Sequence, residues 1–286
     1  MNKLNNNNKT ALITGAASGL GFEFSLLLAK DSYNLILVDI DASKLGEVKN
    51  HIEKVYNSHI VILIKDLSEL NIAREIFCTI KDTQVDVLIN NAGFGLFGAF
   101  SVTDWQRESE MLNLHINTTT QLTKLLLEGM VERGDGKILN ISSLAAFLPG
   151  PLMAIYYASK AYILSFSQAI ANELKGTGVT VTALCPGQTK TAFQEVVFNT
   201  SFQEFDSDSS CKNKFDYSMA CPKGVAKYGY KAMLNGKTVA IPGRFNKFLA
   251  TLSRFVPRKM TTSIVRKIQE KNRNKELIKA SKLLVN

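Results

Sequence analysis

The stretch that most restricts how this chain can fold runs from Thr10 to Ala29. Thr10 to Thr14, T-A-L-I-T, is a short apolar run, and it ends in Gly15-Ala16-Ala17-Ser18-Gly19-Leu20-Gly21. Phe22-Glu23-Phe24-Ser25-Leu26-Leu27-Leu28-Ala29 then continues in a helix-forming pattern. Strand, glycine turn and helix in that order permit a tight turn and a close approach of backbone to a pyrophosphate. The free N–H groups and dipole at the helix start favour such an anion. The spacing is G-x-x-x-G-x-G, not the G-x-G-x-x-G of the generic dinucleotide fingerprint, so the rest of the chain must supply the context.

That context repeats. Asn34 to Val38 is a second buried strand ending at Asp39, 18 residues after Gly21. An acidic residue at about that distance accepts the adenosine ribose hydroxyls. Asp39 would also repel a 2′-phosphate, and Ser18 and Ile40 offer no positive charge to offset it. NAD is therefore expected over NADP, with Lys44 as a nearby base able to reverse the preference and Asp41 as a competing carboxylate. A helix bearing Leu45, Val48 and Ile52 on one face leads to a third strand, Ile60 to Ile64, followed by Lys65-Asp66-Leu67. A helix around Ile72 to Ile80 precedes a fourth strand, Val85 to Ile89, which ends in Asn90-Asn91-Ala92-Gly93. Strands alternating with helices predict an α/β fold, a parallel sheet with right-handed crossovers whose strand carboxyl ends form the binding edge.

Length and composition set outer limits. The 286 residues, 45% hydrophobic and 21% charged, suit a globular protein with a large core. The polar, Asn-rich start is expected to be flexible through residue 9 and lacks the apolar segment of a secretory signal. No apolar run reaches the length of a membrane span. Four cysteines without a C-x-x-C pair and three histidines read as reduced thiols in a cytoplasmic protein with no metal site. The net charge of +9 is concentrated at the end: from Arg244 onward there are 12 Lys or Arg and 2 Asp or Glu, so residues 1–243 carry −1. A neutral body argues against nucleic acid as the partner.

Tyr156-Tyr157-Ala158-Ser159-Lys160 holds the most reactive pairing. On a helix, Tyr156 and Lys160 project from one face about a turn apart. An ammonium held close lowers the pKa of a phenol from its ordinary value of about 10. A fifth strand, Lys137 to Ile141, ends in Ser142-Ser143. A carbonyl that gains hydride at carbon develops negative charge on oxygen, and a serine hydroxyl with a phenol can hydrogen-bond and protonate that oxygen.

Taken together, T-G-x-x-x-G-x-G at Thr14 to Gly21, N-N-A-G at Asn90 to Gly93, a serine at 143 and Y-x-x-x-K at Tyr156 to Lys160 resemble the short-chain dehydrogenase/reductase family, over roughly residues 9 to 245. The resemblance implies a single Rossmann-type doubly wound domain over residues 10–243, with about seven parallel strands and helices on both faces. It implies dinucleotide contacts from Gly15, Ser18, Gly19, Leu20 and Gly21, from Asp39, Asp66 and Leu67, and from Asn91, Ala92 and Gly93, with Asn90 fixing its strand. Pro186, Gly187 and either Thr189 or Thr191 would turn over the nicotinamide. The catalytic set it implies is Asn113, Ser143, Tyr156 and Lys160. Asn113 would bend its helix and hold a water that connects to Lys160. Lys160 would also bind the nicotinamide ribose, and the serine-to-tyrosine step of 13 residues selects Ser143 over Ser142. Tyr157 lacks the register and is expected to pack.

The expected activity is an NAD(P)-dependent oxidoreduction of a secondary alcohol and a ketone, the alternative being a non-catalytic dinucleotide sensor on the same fold. Residues 193–221, with six aromatics amid Asp and Ser, are expected to cover an apolar or extended substrate. The family pattern also implies a homodimer or homotetramer. Beyond the common core, residues 244–286 form a basic amphipathic extension, with Phe245, Phe248, Leu249 and Leu252 at the spacing of one helical face. Three roles stay open for it: packing over the substrate opening, peripheral contact with an anionic membrane, and docking of an acidic partner.

Overall fold

The structure, a computed structural model, describes residues 9–190, 220–253 and 255–283. Seven strands among these residues form one parallel sheet in the order β3-β2-β1-β4-β5-β6-β7. They are β1 (Thr10–Thr14), β2 (Asn34–Asp39), β3 (Ile60–Ile64), β4 (Val87–Asn90), β5 (Gly136–Ile141), β6 (Val179–Leu184) and β7 (Val239–Ala240). The helices between them are α1 (Gly19–Lys30), α2 (Ala42–Val55), α3 (Ile72–Thr79), α4 (Trp105–Leu112), α5 (Thr119–Arg133), α6 (Ala154–Glu173) and α7 (Pro222–Leu234). Beyond the sheet follow α8 (Arg244–Leu252) and α9 (Arg258–Leu283). The Rossmann-type α/β architecture is the one the sequence pattern predicts.

The two faces of the sheet follow from strand alternation. Ala11, Ile13, Leu35, Leu37, Leu139 and Ile141 point to one side, where they meet Phe24 and Leu28 of α1, Leu45 and Ile52 of α2, and Val225 and Met233 of α7. Leu12, Ile36, Val38, Leu88 and Ile138 point to the other, against Ile72 and Ile76 of α3 and Leu122, Leu126 and Met130 of α5. Successive side chains on a strand face opposite ways, so a run apolar at every position can only be a strand covered on both sides. β1 sits between β2 and β4, and the chain therefore leaves the middle of the sheet in opposite directions on either side. A crevice at the carboxyl ends follows from that switch.

Several expectations need adjustment. Lys9 is not loose: its backbone carbonyl accepts from Asn34 N–H at 2.9 Å and its ammonium pairs with Asp135 at 2.6 Å. The fourth strand is shifted toward Asn90. Cys78 and Cys185 are free thiols, but Cys221 is disulfide-bonded, contrary to the expectation of four reduced cysteines. Thr191 and nearly all of the anticipated substrate-covering segment, 193–219, lie outside the described residues, as do residues 1–8.

Candidate active site

The glycine turn is built by hydrogen bonds from two neighbouring strand ends. Thr14 Oγ1 accepts from the N–H groups of Asn91 (2.9 Å) and Ala92 (3.1 Å). Asn91 Nδ2 donates to the carbonyls of Thr14 (2.9 Å) and Gly15 (3.0 Å). The side-chain amide N–H groups of Asn91 are thereby spent inside the protein, so this residue shapes the turn through its side chain. A Cβ at Gly21 would lie 1.9 Å from Gly15 O, and Gly15 itself has φ of +64°. A side chain at position 21 would collide with the Gly15 carbonyl and the Asn91 amide, so the turn could not close as it does.

Asp39 closes the other side of the turn. Its carboxylate accepts from Ala17 N–H (2.9 Å) and Asp41 N–H (3.1 Å), so it stands against the glycine turn as the spacing implied. Asp41 is engaged in capping α2, accepting from Lys44 N–H at 3.0 Å, and the Lys44 ammonium lies 3.8 Å from the same carboxylate. Of the two candidate carboxylates, Asp39 is the one at the turn. Asp66 accepts from the backbone and hydroxyl of Ser68 (2.9 and 2.6 Å), and Leu67 O accepts from Thr118 Oγ1 at 2.8 Å. Asn90 is held within the sheet, donating to Asn140 Oδ1 (2.8 Å) and Thr123 Oγ1 (3.1 Å).

Across the crevice lie the candidate catalytic groups. β5 delivers Ser142 and Ser143, and Ser143 caps a short 3-10 turn, Leu144–Phe147, by accepting from Ala145 N–H at 3.1 Å. Its hydroxyl also bonds the Tyr156 phenol. Ser142 Oγ donates instead to Lys160 O at 2.8 Å, so of the two serines Ser143 is the one whose hydroxyl meets Tyr156. The Lys160 ammonium donates to Ile141 O at 3.0 Å and stands 5.7 Å from the centroid of the Tyr156 ring. Burial pushes Lys160 down to about 8 and pushes the Tyr156 phenol up, with the Ser143 hydrogen bond opposing the latter. The expectation that Lys160 lowers the Tyr156 pKa is not met. Loss of hydration outweighs any pull from an ammonium that faces the ring and the Ile141 carbonyl. Tyr157 packs as expected: it lies edge-on to Tyr156 and its hydroxyl accepts from Gln269 Nε2 at 2.7 Å.

Asn113 is not brought to this cluster. Its Oδ1 accepts from Asn117 Nδ2 at 2.8 Å, and it lines a surface cavity of about 370 Å³ with Asp66, Ser68, Gln106, Ser109 and Glu110. The residue that does reach Tyr156 and Lys160 is His115, two positions along a π-helical turn, Asn113–Thr118. Positions two apart on a helix point to nearly opposite sides, so both cannot face the same crevice. His115 is fully buried, its ring 6.0 Å from that of Tyr156. Nε2 accepts from Phe94 N–H at 3.2 Å, which leaves the proton on Nδ1, and Nδ1–H donates to Ser159 Oγ at 2.8 Å. Ser159 Oγ donates in turn to Tyr156 O at 2.8 Å. Burial first, and the Lys160 charge second, hold the imidazole well below its ordinary pKa. Gly93 makes room for it: a Cβ there would stand 2.6 Å from His115 Nε2 and 3.5 Å from Lys160 Nζ. Periodicity carries a signal for His115, since Met111, His115, Thr118 and Leu122 are buried at helical spacing and Asn113 falls off that stripe.

The remaining predicted positions surround the crevice. Leu144 N–H donates to Pro186 O at 2.9 Å, which ties the Pro186-Gly187 turn to the Ser143 turn. Thr189 Oγ1 donates to Gly187 O at 3.1 Å. Cys185, beside Ser142 and Lys160, is a buried thiol pushed up to about 12 by desolvation.

Comparison with known proteins gives a consistent result. The family described as short chain dehydrogenase matches residues 9–201. The ketoacyl reductase HetN of Nostoc sp. is 32% identical over 240 residues, spanning 82% of this chain and 78% of that protein. The very-long-chain 3-oxoacyl-CoA reductase of Mus musculus is 32% identical over 184 residues, 62% of this chain and 58% of the relative, so the match spans less than two thirds of that protein. Among solved structures, a short-chain dehydrogenase from Sphingobium yanoikuyae in complex with NADPH superposes with a TM-score of 0.72 at 25% identity, over 82% of this chain and 88% of that one.

Proposed function

The chain belongs to the short-chain dehydrogenase/reductase family, and from that premise we propose that it interconverts a secondary alcohol and a ketone, with Tyr156 as the proton donor and acceptor. The observation that carries this reading is the junction of Ser143, Tyr156 and Lys160 at the carboxyl edge of the sheet, opposite the glycine turn. The turn suits a dinucleotide: a Cβ at Gly15 or Gly21 would collide with Ala92, Asn91 or the Gly15 carbonyl, so glycine is what lets the turn close this tightly ahead of the N-terminus of α1, where a pyrophosphate is favoured. NAD(H) is favoured because Asp39 stands at the turn and Lys44 is engaged by Asp41. Pro186, Gly187 and Thr189 would line the nicotinamide end.

When bound, the nicotinamide supplies or takes up the hydride. The chain's own part is proton transfer and orientation. Burial keeps the Tyr156 phenol protonated at neutral pH, which suits donation to the oxygen of a ketone under reduction. Ser143, already bonded to that phenol, holds the same oxygen as charge grows on it. Lys160, pushed down to about 8, exchanges its proton near neutral pH and can restore the one Tyr156 gives up. His115 takes the place expected of Asn113 as the positioning residue: its neutral ring fixes Ser159 and, through it, the backbone of Tyr156.

The names of the two curated relatives put 3-oxoacyl thioesters first among substrates to try. The test is parallel fluorescence titration with NADH and NADPH, then turnover of a 3-oxoacyl thioester and a panel of apolar ketones. NADH is expected to bind more tightly, and Tyr156→Phe to bind it with unchanged affinity while losing turnover. Near-normal turnover by that variant would reject Tyr156 as the donor, and a clear preference for NADPH would reject the role given to Asp39.

A further inference from the structure

The two helices after the sheet are anchored by their inner faces beside the proposed reacting groups. In α8, Asn246 donates to Pro242 O at 2.7 Å, and its amide lies so close to Gly187 that a Cβ there would be 3.1 Å away. Ala250 is buried on the same helix. In α9, Thr261, Val265 and Gln269 are buried, Gln269 donates to the Tyr157 hydroxyl, and Arg273 stands 5.7 Å over the Phe97 ring.

Their other faces carry large apolar side chains into solvent. Phe248 is 59% exposed and Phe255, just past the end of α8, is 79% exposed. Leu249 and Leu252 lie beside them in the open. Met260, Ile264 and Ile268 repeat at four-residue intervals along α9 and are all at least half exposed. Helical spacing sets Lys267 and Lys271 along the edge of that stripe and Glu270 away from it. Single exposed hydrophobics are ordinary, but successive stripes rimmed by like charge mark a contact surface.

We propose that this outer face of α8 and α9 is a docking surface for an anionic phospholipid bilayer. Charge selects the occupant: with 12 Lys or Arg against 2 Asp or Glu from Arg244 onward, a second copy of the same face would set cation against cation. A polyanion such as nucleic acid would satisfy the lysines and leave Phe248, Phe255 and the α9 stripe in water. A bilayer surface accepts both, taking the apolar side chains at the acyl boundary and the ammonium groups among anionic headgroups. No described helix is long and apolar enough to cross a membrane, so the contact made by this face is peripheral. The inference goes beyond the catalytic reading and does not depend on it. Its consequence is that the helices carrying the contact are those tied to the Gly187 turn and to Tyr157.

The test is sedimentation of the full chain with vesicles of phosphatidylcholine alone and of phosphatidylcholine mixed with phosphatidylserine. Binding to the mixed vesicles is expected, falling about tenfold or more on the neutral ones and again at high salt. Phe248→Ser/Phe255→Ser and Lys267→Gln/Lys271→Gln should each weaken it by roughly tenfold, with unchanged circular dichroism and NADH titration. Wild-type protein left in the supernatant with both vesicle types overturns the proposal. So does a Phe248→Ser/Phe255→Ser variant that sediments like wild type. If that variant instead turns a dimer into a monomer in velocity sedimentation while vesicle binding persists, the face belongs to a second copy and the lipid assignment is wrong.

Discussion

The two sides of the crevice are built on opposite principles. On the glycine-turn side, Thr14, Asn91 and Asp39 spend their hydrogen-bonding capacity on backbone groups of the turn, so its shape is set before any ligand arrives. On the Tyr156 side, ionisable groups are buried with few charge partners, and desolvation moves Lys160 and His115 down and Tyr156 and Cys185 up. One side is rigid because its polar groups are satisfied. On the other, burial disfavours the charged forms, so its ionisable groups sit away from their ordinary pKa values. Binding and chemistry should therefore respond to different mutations.

The sharpest division comes from Tyr156→Phe. Its turnover is expected to fall roughly 10²–10⁴-fold, the range of general acid–base catalysis, with NADH affinity unchanged in the fluorescence titration. A fall in both would erase the distinction between the two sides. Asn91→Ala tests the opposite side: it removes two hydrogen bonds from the turn, so dinucleotide affinity should drop by about 1–3 kcal/mol with the pH dependence of turnover unaltered. A changed pH profile in that variant would couple the sides. Asp39→Asn takes away the charge at the turn, and the NADH-to-NADPH affinity ratio, measured by titration, should shift about tenfold toward NADPH, or about 1.4 kcal/mol.

The smaller effects are in pH. Lys160 is charged below about 8 and neutral above it, so if the ammonium restores the phenol's proton, reductive kcat/KM should decline as pH rises through about 8. His115 is kept neutral by the fold, whereas in the unfolded chain it takes a proton near 6.5. The unfolded state thus binds more protons in acid, and stability should fall as pH drops below about 6.5. His115→Asn removes that term, so its melting temperature should vary less than wild type's between neutral and mildly acid pH. An unchanged acid slope would mean that other groups govern it.

Much of this arrangement is legible in the sequence because it rests on local pattern. Strand runs apolar at every position, glycines at a strand end and a carboxylate at the next strand end specify a doubly wound sheet and its binding edge from near neighbours alone. Tyr156 and Lys160 share a helix, so their spacing already sets them on one face. Asn113 was misplaced because a motif carries residue identity but not rotation about the helix axis, and a π-helical turn begins at that residue. The buried stripe through Met111, Thr118 and Leu122 held the information, yet a polar residue on an apolar stripe reads as a packing detail until its neighbours are known.

The sequence by itself determined the sheet, the glycine turn, the Tyr156–Lys160 pair and the basic, amphipathic character of the end of the chain, since each depends on spacing within one element or between consecutive ones. Only the tertiary structure decided that His115 and not Asn113 stands beside Lys160, that burial raises the Tyr156 phenol, and that the apolar side chains of α8 and α9 face outward. Those three depend on desolvation and on which surfaces meet, quantities that arise only when elements distant in sequence are packed together.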